Sequence, residues 1–222
     1  MTTPPTAMMV VWLDFPPEDE ARINHWYDRE HVATRVAMPG FLWGRRFVAT
    51  DGAPKYVAVY ACEGLEALRS APYLRLISEP DAAEAEHVVL FRNGIRALCT
   101  VAAQAGDFEG GIIGLLGLDE GAEGGDLGPW LAETVLPELV AAPGITAARL
   151  LRTEHEMIKG ASSRFTPDTI RPPDWVVVIE ARDGDAAGAA RQGLLAAEAL
   201  AAHGAGADQR FGIYRQTLRV GA

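Results

Sequence analysis

Cysteine is the scarcest chemistry-bearing residue here: Cys62 and Cys99 are the two in a chain of 222. Two are too few for a disulfide framework, and their separation is not that of a metal site, so reduced thiols are expected. Basic residues are in deficit, with 20 Lys and Arg against 30 Asp and Glu and a net charge of −10. Nucleic acid and anionic membrane both select for basic surface, so neither is expected as a partner. Long apolar runs are also missing. No segment reaches the ~18–20 apolar residues needed to cross a bilayer. Met1-Thr2-Thr3-Pro4-Pro5 lacks the basic-then-apolar pattern of an export signal, so a cytoplasmic location is expected. There is no glycine-rich P-loop, and the Gly110-Gly111 to Gly117 stretch lacks the spacing of a dinucleotide fingerprint. No serine or cysteine sits in a nucleophile motif, which argues against nucleophilic hydrolysis.

What is present is a core and a repeat. With 49% hydrophobic residues, the chain can bury a core as one large domain or two of about 100 residues. Displaced by 104 positions, the sequence meets itself in order. Trp26 falls on Trp130, Pro39-Gly40 on Pro143-Gly144 and Arg45 on Arg149. After a further 15 residues, Tyr56 to Val59 falls on Trp175 to Val178, and Gly94-Ile95 meets Gly212-Ile213 one position short of that. Preserved order marks one fold written twice. The expected boundaries are a first repeat at 1–103, a linker at 104–111 and a second repeat at 112–222.

Periodicity and turn residues supply the elements. Met8 to Leu13 reads as a buried strand closed by Asp14-Phe15-Pro16-Pro17. A helix then runs from the acidic Glu18-Asp19-Glu20 to about Met38, where Pro39-Gly40 stops it. Phe41 to Thr50 and Lys55 to Ala61 are strands joined by Asp51-Gly52-Ala53-Pro54. A second helical stretch starts at Leu65, broken near Pro72 and Pro80, and a last strand lies within Glu86 to Thr100. The second copy repeats the order with strands at 112–118, 145–153, 175–180 and 209–220 and helices at 130–140 and 186–202. Asp119 to Gly128 reads as a mobile loop, and 156–173 as an insertion that is either a functional lid or disordered. The fold class is α+β: two tandem ferredoxin-like βαββαβ units whose antiparallel sheets pack together or close into a barrel.

The copies differ in polar residues. On a helical wheel Ile23, Trp26, Ala33 and Ala37 form the core arc, with Glu30 inside it and His31 beside Tyr27 at its edge. A carboxylate among apolar neighbours needs a partner or a proton. The second copy has Leu131, Val135 and Leu150 where the first has Tyr27, His31 and Arg46. Arg45 is matched by Arg149, which fits a structural or surface role. His25, Asp28 and His31 are too spread around the wheel for a metal site, and His87, His155 and His203 have no partners at ligand spacing. No metal is expected.

The segments His25-Trp26-Tyr27-Asp28-Arg29-Glu30-His31-Val32 and Met38-Pro39-Gly40-Phe41-Leu42-Trp43-Gly44-Arg45-Arg46-Phe47 resemble the dimeric α/β-barrel superfamily. They look most like its EthD-like branch, whose motif runs W-Y-x-x-E-H, then P-G-F, then R-Y or R-F. The resemblance is specific over 8–61 and extends to the rest by topology. It implies a pocket between helix and sheet for a small, often aromatic or polyketide-like molecule, with Tyr27, His31 and Arg46 as the motif's polar positions. Relatives include cofactor-independent monooxygenases, lactone isomerases, cyclases, and decarboxylases or dehydratases of phenolic compounds.

The expectation is therefore a cofactor-independent lyase or isomerase on a small hydrophobic substrate. The alternatives are a cofactor-free monooxygenase or a non-catalytic binder. His31, with an ordinary pKa near 6.5, would be the acid/base. Glu30 or Asp28 would orient it, and Tyr27 and Arg46 would hold an oxyanion or carboxylate. Trp12, Asp14, Phe41, Trp43 and Tyr60 are the expected substrate-binding residues. A small-molecule substrate is the expected partner, and a homodimer of the chain is compatible with the reading.

Overall fold

The computed structural model describes residues 4–160 and 170–221. Its first half runs β1 (Ala7–Asp14), a long helix, β2 (Phe41–Asp51), β3 (Tyr56–Cys62), a short turn of helix (Leu65–Arg69), helices Ala71–Ser78 and Ala82–Val88, and β4 (Arg92–Gly106). The second half runs β5 (Ile112–Glu120), a long helix, β6 (Ile145–Thr153), helix His155–Gly160, β7 (Trp175–Ala181), helices Gly184–Gln192 and Ala197–Ala202, and β8 (Ala205–Gly221). Each half is a βαββαβ unit. The eight strands close into one antiparallel barrel in the order β1-β3-β2-β8-β5-β7-β6-β4, so each half contributes four neighbouring strands. The two longest strands make the seams: β4 pairs with β1 and then β6, and β8 with β5 and then β2. Closure leaves no unpaired edge.

Alternation along the strands sorts side chains into two layers. Met8, Val10, Trp12, Trp43, Phe47, Val57, Val59, Ile113, Leu115, Val176, Val178 and Tyr214 fill the barrel. Met9, Val11, Leu13, Ala58 and Tyr60 face the first half's helices, and Leu116, Leu118, Leu150, Val177 and Ile179 face those of the second. Cys62 and Cys99 are both buried and unbonded to each other, and burial pushes each thiol up to about 12.

The last strand of the first half begins at Arg92, inside its expected window, but ends later than the sequence suggests: residues 104–106 of the expected linker finish β4. The expected Ala-rich helix is two helices, Gly184–Gln192 and Ala197–Ala202. Residues 161–169 of the expected insertion lie outside the described residues.

Strand register also corrects the internal alignment. Val11 pairs with Ala58, and Leu116 with Val177, so Trp12 corresponds to Gly117 and Asp14 to Asp119, one position beyond the Leu116 and Leu118 that a displacement of 104 assigns to them. Both aspartates do the same job: Asp14 Oδ1 accepts from the Lys55 backbone N–H at 2.7 Å, and Asp119 Oδ1 from that of Asp174 at 3.2 Å. Val11 pairs with Arg96 on β4, and Leu116 with Phe211 on β8. Arg96 therefore corresponds to Phe211, and Gly94-Ile95 does not match Gly212-Ile213.

Both long helices carry the same irregularity. The first runs through Glu20–Trp26, Tyr27–His31 and Val32–Val36, and the second through Leu127–Trp130, Leu131–Val135 and Leu136–Ala141. Their middle segments widen to π-helical turns: Val32 N–H donates to the Tyr27 carbonyl and Leu136 N–H to that of Leu131. In the second helix Pro137 would press on the carbonyl four residues back in a regular turn, which a wider turn relieves. The extra residue per turn shifts the buried face. Tyr27, His31, Val32 and Arg35 are buried, whereas Glu30, Ala33 and Ala37 are exposed. The expected core arc holds before the π turn and fails after it.

Gly40 and Gly144 end the two helices at φ +84° and +83°, and a Cβ on either would lie 2.8 Å from another, on Ala67 and Ala186 respectively. Gly40→Ala and Gly144→Ala are each expected to cost about 1–3 kcal/mol from a left-handed backbone and a steric clash. Urea unfolding checks this, and an unchanged midpoint would contradict it.

Candidate functional site

The first half buries a polar cluster between its helices and sheet, centred on His31. The π turn sets His31 one residue round from a regular helix and brings its ring to 4.1 Å from that of Tyr27 and 4.6 Å from that of Trp26. His31 is 6% exposed and Tyr27 2%. From the sheet, Tyr60 on β3 joins them at 1% exposure. Phe41 stands 6.3 Å from Tyr60 and 5.2 Å from Tyr73. Trp26 is stacked on His87, 4.5 Å away and 8° from parallel.

The carboxylate beside His31 is neither Glu30 nor Asp28 but Glu84, on helix Ala82–Val88. Its Oε2 lies 3.2 Å from His31 Nδ1, outside hydrogen-bond alignment. Glu84 is held by Arg35, which donates to both of its oxygens and also to the His31 carbonyl at 3.3 Å. Glu30 is exposed, and its carbonyl accepts from the Thr34 hydroxyl. Arg35 and Glu84 had only a weak sequence signal: Arg35 shares the helix face of His31, and Glu84 lies on a separate helix.

Burial, followed by the charge of Arg35, lowers His31 from 6.5 to about 3, against the opposing pull of Glu84. The ring is therefore neutral near pH 7, not half-titrated as its ordinary pKa suggests. Burial resists ionisation of Glu84, but contact with His31 and Arg35 brings its carboxyl down to about 2. Burial also raises the Tyr27 phenol and drives Tyr60 well above its ordinary value. Stability follows with a definite sign. Below pH 6.5 the unfolded chain protonates His31 while the folded chain does not until about 3, so acidification through that window favours unfolding. Glu84 acts in the same direction between about 4.5 and 2. The wild-type free energy of unfolding should fall steadily from pH 6.5 to 4, at up to about 1.4 kcal/mol per pH unit, and His31→Gln should flatten that slope. Identical slopes would contradict the assignment.

Arg46 is committed elsewhere. It donates to Asp28 Oδ1 and to Asn24 Oδ1 at 2.7 Å, and its guanidinium carbon lies 4.2 Å over the Tyr27 ring. It braces the Tyr27 ring, with its charge already balanced by Asp28. Asp14 is a strand-end latch: Oδ1 serves Lys55, and Oδ2 accepts from Asn93 at 2.8 Å. Trp12 and Trp43 point into the barrel, on the other face of the sheet from Tyr27, His31, Phe41 and Tyr60. The structure thus unites Tyr27, His31, Phe41 and Tyr60 and separates Glu30, Asp14, Trp12 and Trp43 from them.

By hydrogen-bond geometry two buried polar atoms in this layer, Tyr60 Oη and His87 Nε2, have no partner among the described residues, and His31 Nδ1 has only the misaligned Glu84 carboxylate. Each such atom costs on the order of 1–3 kcal/mol. The other half fills the matching space with Leu131, Val135, Leu139, Leu150 and Ile179, all 0–1% exposed. Two of the remaining three histidines have carboxylate partners: His155 Nε2 lies 2.7 Å from Asp174 and His203 Nδ1 2.8 Å from Asp126. Arg45 is not a surface residue. It is 1% exposed inside the barrel, bonded to Glu180, Gln216 and the Gly110 carbonyl at 2.6 Å each.

No family model matches the sequence, and no curated protein does. Solved structures match over the whole chain. An anthrone oxidase-like protein is 12% identical, covering 96% of this chain and 92% of its own, with a TM-score of 0.66. A protein assigned as a monooxygenase from Lactobacillus acidophilus is 8% identical, covering 99% and 97%, with a TM-score of 0.58. A heme-binding protein from Thermus thermophilus is 11% identical, covering 98% and 93%, with a TM-score of 0.56. At these identities the likeness fixes the fold, which is that of the dimeric α/β-barrel proteins. Among the described residues no group of three or more His, Cys, Asp or Glu is placed to hold a metal ion, and no helix is long and apolar enough to cross a membrane.

Proposed function

We propose that this protein is a cofactor-independent enzyme that applies acid/base chemistry to a small hydrophobic, aromatic or phenolic molecule in the helix–sheet layer of its first half. The observation that carries this is the buried polar pair itself, His31 with the Glu84 carboxylate 3.2 Å from its Nδ1 and Tyr60 at 1% exposure, at positions where the second half has Val135 and Ile179. Packing alone gives no reason to keep polar groups at that cost in one half of a repeated fold. On this reading the chain is a tandem duplication of the EthD-like type in which one copy has kept its chemistry.

A carboxylate at Nδ1 favours the proton there and puts the lone pair on Nε2. The neutral ring then takes a proton from an acidic C–H or phenolic O–H of the substrate. The electron pair left behind settles on substrate oxygen, and the Tyr60 and Tyr27 hydroxyls are the available donors to that oxyanion. Because the free protein disfavours imidazolium, proton transfer is favoured only as negative charge develops beside the ring, with Glu84 stabilising the cation. Returning the proton to another atom completes an isomerisation, and delivering it to a leaving group or to the carbon that loses carbon dioxide completes a lyase cycle.

The test is a thermal-shift screen of phenolic acids, lactones and polyketide-like aromatics, followed by mass analysis of each hit. Loss of carbon dioxide or water, or conversion at constant mass, that disappears in His31→Gln supports the reading. Addition of oxygen would replace it with a monooxygenase. Hits that bind equally well to folded His31→Gln and Tyr60→Phe, with no turnover, would overturn it.

A further inference from the structure

One mouth of the barrel holds a hollow that the chemistry above does not use. At the end marked by Asp14 and Asp119, Trp12 and Ile95 pair across β1 and β4 and plug the first half's share of the barrel. The corresponding pair in the second half is Gly117 and Arg210, facing each other across β5 and β8. Removing an indole and replacing isoleucine by arginine leaves a cavity of about 130 Å³ lined by Gly117, Asp119, Ile170, Arg171, Pro173 and the Asp208–Arg210 corner. For scale, an engineered cavity of ~150 Å³ accepts benzene.

The hollow is bounded on its outer side by residues 170–173, which cross the barrel mouth and are tied at both edges. Ile170 N–H donates to the Gly94 carbonyl at 2.9 Å, while Arg171 donates to Asp119 at 2.8 Å and Asp174 at 2.7 Å. Pro173 closes on Gly117 so tightly that a Cβ there would lie 3.0 Å from its Cγ. The charges in the lining are not equally engaged. Arg171 and Asp119 satisfy each other. Arg210 makes no side-chain hydrogen bond among the described residues, and its nearest carboxylate, Asp208, is 3.7 Å away and 76% exposed to solvent. A guanidinium fork with free donors beside an apolar wall of Ile170 and Pro173 suits a compact carboxylate with a short apolar tail.

We propose that this barrel mouth is a binding site for small monocarboxylates, separate from the His31 cluster, with Arg210 as the anion-recognising residue. The probe is propionate, with propionamide as its neutral counterpart of matching shape, titrated into isotopically labelled full-length protein and followed by backbone amide NMR shifts. Propionate should give saturable, millimolar-range shifts confined to Gly117, Asp119, Ile170, Arg171 and Arg210. Propionamide should bind at least ~10-fold more weakly, since it lacks the charge that makes such a contact strong. Arg210→Met, which keeps the aliphatic stem at a partly exposed position, should lose a similar factor, whereas His31→Gln should bind propionate as wild type does. Absence of localised saturable shifts, equal binding of acid and amide, or undiminished binding by Arg210→Met would each overturn the proposal.

Discussion

Glu180→Ala is expected to destabilise the protein by about 3–5 kcal/mol, the cost of leaving buried charge without its partner. Glu180 is 1% exposed inside the barrel. Its carboxylate receives Arg45 at 2.6 Å, the Gly110 backbone N–H at 2.8 Å and, more loosely, Arg149 at 3.5 Å. Removing it strands two arginines that are 1% and 6% exposed and releases the residues 107–111 that cross that end of the barrel. At ~2–4 °C per kcal/mol for a chain of this size, the melting temperature should fall by on the order of 10 °C. The triple variant Arg45→Met/Arg149→Met/Glu180→Met should recover most of the loss, because apolar side chains of similar volume replace a buried charge cluster whose desolvation was costly. A loss below about 1 kcal/mol for Glu180→Ala would mean that water reaches this pair.

His31→Gln is expected to lower turnover of any confirmed substrate by about 10²–10⁴-fold, the usual contribution of a positioned acid/base. Glutamine fills much the same space and can hydrogen-bond, so folding should survive, and the slope of stability against pH reports whether it does. Glu84→Gln should give a smaller loss, mainly in kcat, since Glu84 positions and charge-balances His31 without being placed to touch substrate. Arg35 would then lose a charged partner, and for that reason Glu84→Ala is the poorer variant. Turnover by folded His31→Gln at the wild-type rate would remove His31 from the chemistry.

The barrel, its two βαββαβ halves and their element order were legible in the sequence because strand alternation and Pro-Gly stops act locally. The grouping of Tyr27 with His31 was legible too, since both lie at the edge of the helix's core arc. Exposure of Glu30 was not. A wheel at constant pitch cannot see a π turn, and Pro137, its one sequence signal, lies in the other half. The partner of His31 was also hidden, because Glu84 reaches it from another helix more than fifty residues on. Trp12 and Asp14 were misplaced by a one-residue slip in the internal alignment, which in a strand turns a side chain to the opposite face. Arg46 and Arg45 show the limit of reading roles from residue type: adjacent on β2, one braces Tyr27 outside the barrel and the other is locked to Glu180 inside it.

The account rests on a neutral, desolvated His31 held beside Glu84, and nitrogen NMR of the histidine rings across pH tests it most directly. The expected result is a His31 ring that stays neutral at pH 5, carries its proton on Nδ1 and begins to titrate only near 3. A His31 ring that titrates near 6.5 would show that it is open to water, and the buried cluster on which the proposed chemistry depends would have to be abandoned.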